Sequence, residues 1–181
     1  MFNELFAINP AWNRIQPIRI DDQGDCHTLS GNGLVLRALT CHDVDPYYKI
    51  GRHRYIGVSP PFKPGTPERF AQFMISTCEM VWTIRLAGNP TSIVGDCVLY
   101  KLEGREKEME FGGALAPHLR SNGVMLNAFP LIAQYAGEHL GTISIWCHTD
   151  NSNDNAVQFA EKSGFRMVSV SGNTTKWKMK L

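Results

Sequence analysis

The segment HLRSNGVMLN, residues 118–127, combines a charge, small polar residues and a glycine just before an apolar stretch. Arg120 can supply a full positive charge, and Gly123 lets the backbone approach a bound oxygen closely. If a helix begins after Gly123, its unpaired N–H groups and its dipole add partial positive charge at the same place. Two interpretations are open, because the segment can be a turn with a helix cap or a binding loop for phosphate.

The elements on either side of this loop follow from residue periodicity. EMEFGGALA (108–116) predicts a strand before the loop, in which the paired glycines indicate a bulge or a close backbone approach. Residues 124–140 have helical spacing, and TISIWCH (142–148) predicts a further strand. The order strand, loop, helix, strand predicts a crossover unit over residues 108–148.

The rest of the chain shows both kinds of periodicity. Thr66 is a predicted helix cap with Pro67 at the first helical position, and Gly164 is the predicted end of a later helix. Strands are predicted at 15–20, 34–39, 81–87, 92–102 and 175–181, and helices at 41–55, 67–79 and 154–165. This order indicates a mixed α/β fold with an antiparallel meander and one crossover.

Composition limits the classes of protein that fit. At 181 residues, with 43% hydrophobic and 19% charged residues, the chain has the composition of one globular domain. A formal net charge of +1 argues against a nucleic-acid partner, and no apolar run approaches the roughly 20 residues that span a bilayer. The first residues lack the pattern of a signal peptide. The odd number and scatter of the cysteines predict reduced thiols, so we expect a cytoplasmic protein.

Five cysteines are scattered along the chain without a Cys-x-x-Cys pair. An odd, scattered set predicts reduced thiols rather than a disulfide framework or a zinc site. We therefore expect no metal.

Two segments, GGALAPHLRSNG (112–123) and NDNAVQFAEKSGF (153–165), together resemble the GNAT acetyltransferase superfamily. The resemblance is greatest to the branch that acetylates the N-termini of ribosomal proteins. It covers roughly residues 33–181 as a single domain, and leaves residues 1–32 as an N-terminal extension packed on that domain. It implies a mixed, mostly antiparallel central sheet flanked by helices, with a splayed pair of strands that admits acetyl-CoA.

The resemblance also implies which residues bind the cofactor. In the family, the pyrophosphate binds a loop of the form Gln/Arg-x-x-Gly-x-Gly/Ala, and Met125 departs from the small residue at its end. A later Asn-x-x-Ala/Ser pattern followed by Gly164-Phe165 lines the pantetheine arm. The implied cofactor-binding residues are Ala114, Leu115, Ala116, Arg120, Ser121, Asn122, Gly123, Val124, Met125, Asn153, Ala156 and Phe159.

Acetyl transfer to an amine needs a base for the ammonium, donors for the oxyanion and an acid for the leaving thiolate. The resemblance implies Glu110 as the base and the backbone N–H groups of residues 114–116 as the oxyanion donors. Many relatives carry tyrosine where this chain has Ala160, and the ribosomal branch often carries serine where it has Ala156. Cys147, His148, His118 or water are then the candidates for the acid.

Acceptor recognition is expected in the region of the first two helices. In the resembled family this region borders the acceptor channel, and two interpretations are open for Tyr47, Tyr48, His53 and Phe62, which are either walls of that channel or, as aromatic residues at such spacing often are, part of the core. The triplet at residues 52–54, Arg-His-Arg, is either a solvated face or a contact for an acidic acceptor.

The function implied is transfer of an acetyl group from acetyl-CoA to a primary amine, that of a protein or peptide N-terminus. A small-molecule amine is the second hypothesis, and a degenerate protein that binds CoA or a partner without turnover is the third. Acetylation of charged tRNA is disfavoured by the near-neutral net charge. A monomer or a homodimer is expected.

Overall fold

The computed structural model describes residues 27–51 and 65–181. In this part of the chain, eight strands form one sheet of order β1-β2-β3-β4-β5-β6-β8-β7. The β5–β6 pair is parallel and the other neighbouring pairs are antiparallel. The strands are β1 (Leu29–Gly31), β2 (Leu34–Ala38), β3 (Met80–Leu86), β4 (Gly95–Leu102), β5 (Arg105–Leu115), β6 (Ser144–Asp150), β7 (Arg166–Ser171) and β8 (Thr174–Lys180).

Four α-helices flank the sheet in the described residues: α1 (Val44–Gly51), α2 (Pro67–Thr77), α3 (Val124–Leu140) and α4 (Asp154–Lys162). The Thr66 side chain caps α2 by accepting a hydrogen bond from Arg69 N, as predicted. The Asn153 side chain caps α4 in the same way, and Gly164, with φ +87°, lies just beyond that helix. Within the described part of the chain, no helix is long and apolar enough to cross a membrane.

The predicted fold class is confirmed, and the predicted crossover appears as β5–α3–β6. Strands β1 and β7 were not predicted. β1 has three residues, too few for a periodic pattern, and β7 is an edge strand whose six residues are all exposed, so neither shows the signature of a half-buried strand. The strand predicted at 15–20 lies outside the described residues.

The predicted domain boundary at residue 33 falls inside the β1–β2 hairpin. Residues just before it contact the domain: the His27 carbonyl accepts a hydrogen bond from Trp82 Nε1, and the His27 ring lies 2.7 Å from the Tyr135 hydroxyl. Asn32 also donates to the Asn127 carbonyl. The end of the predicted extension is therefore packed on the sheet and on α3.

Two hydrophobic clusters lie on opposite faces of the sheet. One contains α3 and α4 residues such as Phe129 and Ala160, packed on Phe111 and Cys147 of the sheet. The other contains α1 and α2 residues packed on Val81 and Val98: Val44, Tyr47, Phe70, Ala71, Phe73 and Met74. Because side chains alternate along a strand, neighbouring residues of β5 and β6 face different helical layers.

Strands β5 and β6 separate after a short paired stretch. They pair only from Glu108–Ser144 to Glu110–Trp146. Beyond this point, β5 stays bonded to β4 as far as Leu115, and β6 stays bonded to β8 as far as Asp150. Each strand follows its other neighbour, and the predicted splayed pair is thereby formed.

Candidate active site

A cleft of about 470 Å³ opens between the diverging strands. Cys147 and His148, which are consecutive and point to opposite faces of β6, both line it, so the cleft passes between the strands. Among the predicted cofactor residues, those that line it are Ala114, Leu115, Arg120, Ser121, Gly123, Val124, Met125, Asn153, Ala156 and Phe159. Ala116 and Asn122 do not.

The loop before α3 presents backbone donors to this cleft. Ser121 and Gly123 both adopt left-handed backbone angles, with φ +67° and +74°. Gly123 is the N-cap of α3 and provides no side-chain acceptor, so the first N–H groups of the helix remain available to a ligand. A Cβ atom built on Gly123 would meet no atom within 4 Å, so the glycine leaves open space where it lines the cleft.

Side-chain contacts fix the loop at both ends. The Ser121 hydroxyl donates to Asn155 Oδ1 of α4 at 2.9 Å, which ties the loop to the helix on the other side of the cleft. Arg120 Nε donates to the Leu115 carbonyl at the end of β5. The loop is therefore held in position before any ligand binds, which reduces the entropic cost of binding.

Lys162 is a cleft residue that the sequence analysis did not identify. It lies in the last turn of α4 and, together with Arg120, gives the cleft two cationic side chains. Two cations that line the same cleft as the first N–H groups of α3 make it suitable for phosphate groups. The sequence signal that could have identified Lys162 is its position in the second family segment, two residues before Gly164.

Met125 and Gly113 explain how the chain tolerates a large residue where the family pattern has a small one. A Cβ atom on Gly113 would lie 2.6 Å from Met125 Cε, so the methionine occupies the space that the glycine leaves. The β4–β5 register is continuous across both paired glycines, and its irregularity lies at Lys101–Leu102. The close approach predicted for the glycines is observed, whereas a bulge at that place is not.

The backbone N–H groups predicted to stabilise an oxyanion are partly occupied. The Ala114 N–H donates to the buried carboxylate of Asp96 at 3.0 Å, and the Ala116 N–H donates to the Val94 carbonyl at 2.8 Å. Both N–H groups therefore already bond to β4 or to the residue just before it. Of the three predicted oxyanion donors, the backbone N–H of Leu115 remains as the candidate.

Glu110 and His148 form a hydrogen-bonded pair where the strands begin to separate. His148 Nδ1 lies 2.9 Å from Glu110 Oε1, and each side chain is about one-fifth exposed, at 21% and 20%. Glu110 is the last residue of β5 that pairs with β6, whereas His148 lines the cleft. The Glu110 carboxylate is therefore connected to the cleft by its hydrogen bond to the His148 imidazole.

Cys147 is poorly suited to protonate a thiolate. Burial, and to a lesser degree the negative charge of Glu110, raises the pKa of its thiol to about 12. A group with so high a pKa would give its proton uphill to a thiolate of ordinary pKa, near 8.5. His118, the other predicted histidine, is exposed on a short 3-10 turn (Pro117–Leu119) and does not line the cleft. His148 is thus the remaining side-chain candidate.

The structure does not support a wall role for Tyr47. Its side chain is fully buried and stacks on Phe70, with ring centroids 5.3 Å apart. Tyr47 lies on the face of α1 that packs on α2 and the sheet. Its ring therefore fills the core and is not exposed to a substrate. Tyr48 is partly buried and packs edge-on to the same phenyl ring. His53 and Phe62 lie outside the described residues.

The splayed sheet and the cleft between its strands are features of an acyltransferase fold. Comparison with protein families agrees: residues 33–166 match the family described as Acetyltransferase (GNAT) domain. The chain therefore belongs to the GNAT acetyltransferases and is an N-acetyltransferase. The predicted family membership is confirmed.

Solved structures share this fold at low sequence identity. A GNAT-family acetyltransferase from Bacillus anthracis superposes with a TM-score of 0.69 at 17% identity, covering 84% of this chain and 98% of its own. A spermidine N-acetyltransferase from Vibrio cholerae, solved with CoA and spermine, gives 0.68 at 17% identity, covering 83% and 96%. A ribosomal-protein-alanine acetyltransferase from Vibrio fischeri gives 0.64 at 13% identity, covering 84% and 96%. A sequence comparison with curated proteins gave no significant match.

Proposed function

We propose that this enzyme transfers the acetyl group of acetyl-CoA to the N-terminal amine of a protein or peptide. The observation that carries the proposal is one continuous cleft that joins a phosphate-type loop to an acid–base pair. Arg120 and Gly123 lie at the loop, and His148, bonded to Glu110, lies where the strands part.

The residues of the cleft fit a CoA-type cofactor. Arg120, Lys162 and the first N–H groups of α3 would hold its pyrophosphate. The pantetheine arm would lie between β5 and β6 against Ala156 and Phe159. When bound, acetyl-CoA supplies the acetyl group as an activated thioester.

The acid–base pair would act on the acceptor amine. A carboxylate only accepts hydrogen bonds, so His148 Nδ1 donates to Glu110 and the lone pair of a neutral ring lies on Nε2. The imidazole would take the proton of an incoming ammonium, and the Glu110 carboxylate would then stabilise the imidazolium. In this arrangement His148 transfers the proton, and Glu110 orients the ring rather than acting as the base itself.

An α-amine suits this pair better than a side-chain amine. The pKa of an N-terminal amine is about 8, so much of it is already neutral near physiological pH, whereas a lysine amine has a pKa of about 10.4. A partly exposed imidazole can supply the modest assistance that the first needs. This difference supports a protein or peptide N-terminus as acceptor.

The proposal is tested by binding and by turnover. CoA or acetyl-CoA at one hundred times its dissociation constant should add about 2.7 kcal/mol to the free energy of unfolding, measured as a rise in melting temperature. Acetyl-CoA consumption is then followed with a panel of peptides and of small amines. Transfer to peptides is expected; binding without transfer to any amine would contradict the enzymatic function, and transfer to polyamines alone would contradict the peptide acceptor.

A further inference from the structure

A group of cations surrounds one indole ring on the sheet face that carries Glu110 and His148. Trp146 of β6 has Lys178 Nζ at 4.5 Å, Lys176 Nζ at 4.7 Å and Arg105 Cζ at 5.2 Å from its ring centroid. These distances lie within the range of cation–π attraction. The ring therefore holds three positive groups close together.

One carboxylate compensates two of these three cations. Glu108 accepts hydrogen bonds from Lys178 Nζ at 2.7 Å, from Arg105 Nη1 at 3.0 Å and from Trp146 Nε1 at 2.7 Å. Lys178 and these other donors hold the pKa of Glu108 at about 2, so it is ionised at neutral pH.

Lys176 takes no part in this network. Across residues 27–51 and 65–181, the ion pairs that the structure contains do not include Lys176. Among the described residues, its ammonium rests against the indole ring without an opposite charge. A positive group that a ring holds in place, and that has no carboxylate partner in this part of the chain, is available to an anion from outside the protein.

The position of Lys176 connects it to the acid–base pair. In the β6–β8 ladder, Lys176 is the direct partner of His148, and Trp146 is the partner of Lys178. Directly opposed residues of antiparallel strands have Cβ atoms about 4.5–5.5 Å apart and point to the same face. Lys176 therefore lies beside the imidazole that would receive the amine proton.

We propose that Lys176 selects acceptors that carry a carboxylate close to the reacting amine, so that the substrate is a peptide with an acidic N-terminal segment. This inference rests on the proposed function, because it places the acceptor amine at His148. A strand rises about 3.3 Å per residue, so a side chain among the first three residues of a peptide can reach a neighbouring Lys. Lys176 is then a specificity residue of the acceptor site.

A polyamine is the acceptor that this surface suits least. Its additional ammonium groups would lie close to Lys176, Lys178 and Arg105, and like charges at short range repel. Glu108 is already shared among two cations and an indole N–H, and Glu110 is bonded to His148. The described part of this surface thus provides little negative charge for a polycation.

The test compares three peptides that differ only at the second and third residues: two Asp, two Asn or two Lys. We expect kcat/KM to be roughly tenfold higher for the Asp peptide than for the Asn peptide, as one charge-assisted contact would give. Lys176→Gln should bring this ratio close to one, and Lys176→Glu should favour the Lys peptide. Lys180→Gln, on the same strand and face but opposite Ser144, is the matched control and should keep the wild-type ratio.

Calorimetric binding of the same peptides to the CoA-saturated protein separates the two proposals. Transfer to all three peptides with equal kcat/KM in the wild type would overturn the role of Lys176 and leave the proposed function standing. Preferential binding of the Asp peptide without any transfer would support this surface and overturn the proposed function. Equal loss of preference in the Lys176→Gln and Lys180→Gln variants would show a general charge effect and also overturn the inference.

Discussion

His148 Nδ1 lies 2.9 Å from Glu110 Oε1, although the two residues are 38 positions apart in the chain. Strands β5 and β6 bring them together at the end of their paired stretch, where the cleft begins. The contact changes the roles expected from the sequence, in which Glu110 was the base and His148 a candidate acid. In the proposed mechanism, His148 contacts the amine and Glu110 positions the imidazole ring.

If His148 and Glu110 act as a unit, the reductions in kcat caused by their single substitutions should not multiply in the double variant. His148→Gln should lower kcat by about 10²–10⁴-fold, Glu110→Gln should also lower it, and the double variant should be little worse than His148→Gln alone. The deficits should shrink as pH rises through about 8, because more of the acceptor amine then arrives neutral. Steady-state rates between pH 6 and 10 check this, with CoA affinity as the control. Independent, multiplicative losses would contradict the pair.

The open backbone at Gly123 should matter for the cofactor more than for the fold. Gly123→Ala and Gly104→Ala replace glycines with nearly the same backbone angle, φ +74° and +70°, and in both a Cβ would meet no atom within 4 Å. Each should cost about 1–2 kcal/mol of stability from the left-handed angle. Only Gly123→Ala should also weaken CoA binding, by about tenfold or more, because Gly123 lines the cleft at the N-terminus of α3 and the added methyl group would take up space there. Equal CoA affinities, measured by calorimetry, would place the pyrophosphate elsewhere.

Cys147 should be chemically inert despite lining the cleft. Its pKa of about 12 leaves it protonated at pH 8, and the thiolate is the form that reacts with alkylating agents. Iodoacetamide at pH 8 should therefore modify the exposed Cys41 and leave Cys147 unmodified, as peptide mass spectrometry can show. Alkylation of both at similar rates in the folded protein would contradict the raised pKa.

Glu108 should stabilise the fold in a pH-dependent manner. Its pKa falls from 4.5 to about 2, chiefly through the Lys178 ammonium. A carboxyl group with a lowered pKa in the folded state contributes stability above its unfolded pKa and loses it as pH falls towards the folded pKa.

The loss of unfolding free energy in Glu108→Gln should thus be full at pH 7 and should shrink between about pH 4.5 and pH 2. Glu106→Gln, which changes an exposed carboxylate on the same strand, is the control and should show little change. Urea unfolding at a series of pH values measures both. A deficit that is constant with pH would rule out this ionic origin.

The sequence by itself determined the elements whose signals are local. A cap such as Thr66, a left-handed position such as Gly123 and the periodicity of α3 or β6 depend on residues within one or two helical turns. The order of these elements and the two family segments then indicated the fold and the loop that we propose as the cofactor site. The family resemblance assigned Tyr47 to the acceptor channel, and helical spacing by itself could not distinguish a core residue from a channel wall.

Only the tertiary structure decided which groups meet across strands. The bond of Glu110 to His148 and the opposition of Lys176 to His148 depend on strand register, and register is set by the burial of whole strand faces and by turn geometry rather than by any one residue. The pKa of Cys147 likewise follows from burial and from the charge of Glu110, and neither can be predicted from the residues next to Cys147 in the sequence. Strand register therefore brings Glu110, His148 and Lys176 together although they are far apart in the sequence.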